Sequence, residues 1–154
     1  MIFGVLMKNS NIITAVLFGF TVLTMAVLFV GLFCFPQAMQ FYCGYTERPE
    51  AIIPGVLRAY YFVTPPTIVG LGFLCVLLRN LLKEEVFEQK NVTLLRIIGM
   101  LAFAASVFCG VFGYRYLPII ICGIAGLFIS LILAVLSALF SAACRIKDEN
   151  DLTV

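Results

Sequence analysis

No histidine occurs anywhere in the 154 residues. That removes the commonest metal ligand and the side chain most used as a general base near neutral pH. Charge is scarce too: 12% of residues are charged, and the net charge is +2. So small a surplus leaves no footprint for nucleic acid, and no direct nucleic-acid binding is expected. The six cysteines are Cys34, Cys43, Cys75, Cys109, Cys122 and Cys144. No two of them form the C-x-x-C arrangement of membrane thiol oxidoreductases. The tail segment "DEND" lacks the glycine and distal glutamate of a calcium-binding loop. No metal and no cofactor are assigned.

What the chain does have is hydrocarbon. Hydrophobic residues make up 63% of it, and its mean hydropathy is +1.13. A soluble domain of this size needs far more polar surface. Four apolar stretches, at about 12–35, 64–82, 93–113 and 118–144, can each cross a hydrocarbon core about 30 Å thick. Backbone groups in lipid must be satisfied internally, so each stretch is expected to be helical. The expectation is an all-α integral membrane four-helix bundle, one domain spanning 1–154. Residues 36–63 would form an outer segment, 83–92 an inner loop and 145–154 an inner tail. The first stretch reads as a retained anchor. Its apolar run exceeds a signal core, and "FPQAMQ" lacks the paired small residues of a cleavage site.

Basic residues set the orientation. With both termini cytoplasmic, the inner side holds Lys8, Arg79, Lys83, Lys90, Arg96, Arg145 and Lys147, and the outer side Arg48, Arg58 and Arg115. That is the asymmetry the positive-inside rule asks for. Tyr42, Tyr45, Tyr60, Tyr61, Tyr114 and Tyr116 then form a belt on the outer side alone, at the headgroup level tyrosine favours. The sequon at Asn91 falls on the wrong side for glycosylation.

Local signals refine the spans. "TPPT" at 64–67 has two readings. Thr64 caps a helix that begins with Pro65 and Pro66, or one long helix kinks there. The cap is the preferred reading, with 51–63 lying against the outer leaflet. "GYRYLP" is so short that the third and fourth helices must be antiparallel neighbours. On the fourth, Cys122, Gly126, Ser130, Ala134, Ala138 and Ala142 recur every four residues as a candidate packing stripe. It faces the third helix or, alternatively, builds a homo-oligomer. Cys34 and Cys43 both fall near the outer face and could form a disulfide. No Asp or Glu lies within any apolar stretch, which argues against a proton-coupled transporter or ion channel.

The segment "VFEQKNVTLLRIIG" at 86–99 and the tail "RIKDENDLTV" at 145–154 resemble a bacterial membrane protein family, domain of unknown function 2975. The loop pattern is carried by Phe87, Asn91, Leu95, Arg96, Ile98 and Gly99, and the tail pattern by residues 148–154. The resemblance covers the second half of the chain well and the first half by topology only. It implies a four-helix protein of the bacterial cytoplasmic membrane. Members often neighbour a small helix-turn-helix regulator, which implies a signalling role.

Two sites are therefore expected. Lys83, Glu84, Glu85, Phe87, Glu88, Asn91, Arg96, Asp148, Glu149 and Asp151 would form a cytoplasmic surface for a regulatory protein. Tyr45, Arg48, Arg58, Tyr60, Tyr61, Arg115 and Tyr116 would form an outer rim for an anionic amphiphile or peptide. The reading is a non-enzymatic sensor or regulator embedded in the lipid bilayer. An accessory subunit of a larger complex is the alternative, and a membrane-embedded enzyme or transporter the third.

Overall fold

The computed structural model describes residues 2–46, 49–83, 88–114 and 116–151, with side chains placed for all of these except 2–10, 50, 148, 150 and 151. Four helices dominate: α1 (Ile2–Tyr45), α2 (Ile53–Leu82), α3 (Gln89–Phe112) and α4 (Leu117–Asp151). A 3-10 turn, Glu50–Ile52, leads into α2. Each helix contains a stretch long and apolar enough to cross a membrane: Asn11–Tyr45, Ile53–Leu82, Gln89–Phe112 and Leu117–Lys147. Large apolar side chains cover the outside of the bundle; Phe33 is 69% exposed and Leu131 64%. Water would penalise such a surface, whereas lipid tails do not.

Each helix packs on the next in the chain: α1 on α2, α2 on α3 and α3 on α4. All three pairs are antiparallel. Tyr60 of α2 reaches Leu28 of α1, and Asn80 of α2 reaches Asn91 of α3. Gly99, Gly126 and Gly113 face Leu133, Ser106 and Ile119 in turn along α3 and α4. One end of the bundle, the tyrosine end, therefore holds the α1–α2 and α3–α4 connections. The other, the charged end, holds the α2–α3 connection and the last turns of α4. At the tyrosine end Met39, Cys43 and Val56 form a small core, with Phe35, Ile52, Ile53, Tyr116 and Ile119 against it.

The expected outer segment 36–63 is mostly helix: α1 continues to Tyr45 and α2 begins at Ile53. Thr64 does not cap a helix. It lies inside α2, 2% exposed, and its hydroxyl donates to Tyr60 O at 2.7 Å. Thr67 does the same to Val63 O at 2.8 Å. Pro65 and Pro66 cost α2 two backbone bonds. Ending the helix there would leave several more groups unsatisfied in lipid, so the helix runs through.

Pro36 in α1 poses the same problem and has a visible solution. Lacking an N–H, it cannot bond the Leu32 carbonyl one turn back. The Tyr61 hydroxyl of α2 donates to that carbonyl instead, at 3.3 Å. We expect Tyr61→Phe to lower stability in detergent by about 1 kcal/mol, with Tyr45→Phe, at an 81% exposed position, as the neutral control. Identical thermal unfolding curves for the two variants would show that the carbonyl needs no such donor.

Candidate functional site

At the charged end, the antiparallel α3–α4 register brings the start of α3 beside the end of α4. Cys144 is buried there, so its free thiol packs against neighbours rather than facing outward. Beyond it α4 carries exposed Arg145, Lys147 and Glu149. Arg145 Nε lies 3.6 Å from Glu149 Oε1 along the same helix, and Lys90 Nζ lies 3.9 Å from Glu88 Oε2. Pairs this exposed contribute between about 0 and 1 kcal/mol each. Lys83 is also exposed, at the end of α2. Glu84, Glu85 and Phe87 lie outside the described residues, and the side chains of Asp148 and Asp151 likewise.

Two residues expected on this surface are elsewhere. Asn91 is 2% exposed and accepts a hydrogen bond from the Asn80 amide at 2.8 Å. It joins α2 to α3 and offers nothing to a partner. It does not cap α3 either; Glu88 holds the cap position without a side-chain bond, and Thr93 donates back to Gln89 O. Arg96 is exposed, but it lines a groove of about 850 Å³ between α3 and α4, together with Gly99, Ser137 and Ser141.

At the tyrosine end the expected rim separates into parts. Tyr45 and Tyr61 are exposed, and so is Arg58, whose Nε donates to Pro54 O at 3.1 Å. Arg48 and Arg115 lie outside the described residues. Tyr60 turns inward. Its ring stacks on Phe35 with centroids 3.9 Å apart, and its hydroxyl donates to Leu28 O at 3.4 Å. It lines an apolar cavity of about 320 Å³ that all four helices border, through Leu28, Phe35, Thr64, Cys109, Ile119 and Cys122 among others. Tyr116 packs against the Met39–Cys43–Val56 core. Gly31 abuts the Tyr60 hydroxyl, so any side chain at 31 would collide with it. The interfacial role expected of Tyr60 rested on residue type alone; its stacking on Phe35 is a tertiary fact.

The small residues of α4 also divide. Gly126 faces Ser106 across the helix pair and Ser130 is buried, but Ala134, Ala138 and Ala142 are exposed. The buried line is Gly123, Ser130, Ser137 and Cys144, which recurs every seven residues. Repeats of four advance about 40° per step around a helix of 3.6 residues per turn, whereas repeats of seven drift only about 20°. The line of sevens stays against α3. Cys34 and Cys43 are both free. They lie nine residues apart on one helix, a rise of about 13 Å, beyond the reach of a disulfide.

A family model described as a protein of unknown function (DUF2975) matches residues 21–154. No curated protein sequence and no solved structure matches the chain.

Proposed function

The chain belongs to the DUF2975 family of proteins of unknown function, and we propose that it is a membrane-embedded sensor or regulator that docks a cytoplasmic partner at its charged end. The observation that carries this reading is the length of α4. The helix runs unbroken over Leu117–Asp151, about 52 Å at 1.5 Å per residue. A hydrocarbon core of about 30 Å covers little more than half of it. The apolar part stops near Cys144, and the remaining turns carry Arg145, Lys147, Asp148, Glu149 and Asp151. A helix projecting from the bilayer with exposed charges is a ready surface for a protein of opposite pattern.

The excess of basic residues at this end supports its placement in the cytoplasm. The proposed docking surface, without Asn91 and Arg96, consists of Lys83, Glu84, Glu85, Phe87, Glu88 and the α4 extension. Its carboxylates suit a basic partner, as a small helix-turn-helix regulator would present. The test has two parts. Reporter fusions at either terminus should give cytoplasmic signals. Removal of 148–154, or the double change Glu84→Lys and Glu85→Lys, should reduce capture of cytoplasmic partners to background while membrane insertion persists. Undiminished capture by both variants removes the surface from consideration, and periplasmic termini remove the orientation.

A further inference from the structure

We propose that the groove between α3 and α4 at the charged end binds an anionic phospholipid of the surrounding bilayer, with Arg96, Ser137 and Ser141 holding its phosphate. The inference rests on the membrane placement of the helices and is independent of partner docking. Three observations carry it. The first is shape: the groove measures about 850 Å³, within the range of about 300–1,000 Å³ common for small-molecule sites. It opens beside exposed Met100 and Phe103, which face the lipid.

The second is polarity at the groove wall. Ser137 is 5% exposed and lines the groove with Ser141. A hydroxyl facing a groove in lipid favours an occupant that can accept its hydrogen bond.

The third is charge and depth. Arg96 has no ion pair among the described residues. α3 spans Gln89–Phe112, about 36 Å, so it overhangs a 30 Å core by about 3 Å at each end. Arg96, seven residues in, has its Cα about 7 Å below that boundary. An arginine side chain is long enough to bring its guanidinium up to the phosphate layer. The pairing of Gly99 with Leu133 and Ser130 sets Ser137 at about the level of Arg96, with Ser141 one turn nearer the headgroups. The guanidinium fork matches phosphate oxygens bidentately. Deeper in, Gly99, Ala134 and Phe103 leave an apolar channel for an acyl chain. A second copy of the chain is the poorer occupant, since it would bury Arg96 without an anion.

The experiment is native mass spectrometry of the detergent-purified protein with phosphatidylglycerol and phosphatidylcholine supplied at equal concentration. Wild type should retain phosphatidylglycerol about tenfold better. Arg96→Gln should abolish the preference, Arg96→Lys should keep part of it, and Lys90→Gln, at an exposed position outside the groove, should leave it intact. Equal retention of the two lipids by wild type overturns the proposal without need of any variant. An unchanged preference in Arg96→Gln does so as well. Displacement of phosphatidylglycerol by millimolar inorganic phosphate would make the site a plain anion site. Copy-to-copy crosslinking through Ala134→Cys above the wild-type background, undiminished by phosphatidylglycerol, would assign the groove to a second copy.

Discussion

Gly123→Leu is expected to cost about 3 kcal/mol or more and to leave little monodisperse protein after extraction into detergent. A Cβ at this position would lie 3.0 Å from Cys109 Cβ and 3.2 Å from the Ser106 carbonyl oxygen. Neither neighbour is the free end of a flexible side chain. One is fixed to the α3 backbone and the other is part of it. Leucine adds three more carbons beyond that Cβ, so α3 and α4 must separate. Overpacking typically costs about 1–3 kcal/mol; here it falls on a contact whose closeness is its main source of attraction. Gly123→Ala should fall in between, at about 1 kcal/mol. Ala125→Leu is the matched control: same helix, same side chain, but an exposed position. Thermal unfolding and size-exclusion profiles decide. If Gly123→Leu and Ala125→Leu behave alike, the helices do not approach as closely as described.

The existence of four spans was readable because it rests on composition, which no tertiary detail can reverse. The packing face of α4 was readable only with the right period. Cys122 and Ala142 are twenty residues apart, which places them about 200° apart around the helix. They cannot share a face, although each step of four between them looks adjacent. The sevenfold recurrence of Gly123, Ser130, Ser137 and Cys144 was present in the sequence and marks the face that is buried.

Proline and tyrosine failed as local signals for a common reason. "TPPT" is a good helix start in water, where released carbonyls find solvent. In lipid they do not, and α2 passes through Pro65 and Pro66 with Thr64 and Thr67 bonding back to the preceding turn. Tyr60 and Tyr61 fit an interfacial belt by type, but their hydroxyls serve Leu28 and Leu32 carbonyls on α1. Pro36 leaves one of those carbonyls without its helical donor. Only the pairing of α1 with α2 shows where that donor comes from. The two sites differ in the same way. Charges past Cys144 announce themselves in sequence, whereas the groove at Arg96 depends on which faces α3 and α4 leave uncovered.

Asn91→Ala is expected to destabilise the protein by about 2 kcal/mol, and a paired apolar replacement should recover most of that loss. Asn91 read from sequence as a wet loop residue, because asparagine beside "KEEVFEQK" has every local reason to be hydrated. Its burial follows from tertiary pairing, with Asn80, eleven residues earlier, among its partners. Hydrogen bonds between membrane helices average only about 0.6 kcal/mol. The larger figure is expected here because Asn91 is 2% exposed. Truncating it leaves the half-buried Asn80 amide facing a void in lipid, where an orphaned polar group costs about 1–3 kcal/mol. Replacing both partners removes the orphan as well as the bond. The double variant Asn80→Leu with Asn91→Leu should therefore lie within about 1 kcal/mol of wild type, far from the sum of the single losses. Thr93→Ala serves as the reference, since its exposed hydroxyl bonds only its own helix at Gln89 O. The measurement is a double-mutant cycle by thermal unfolding in one detergent. Additive losses, or a single variant no worse than Thr93→Ala, would mean that the two asparagines do not hold α2 to α3.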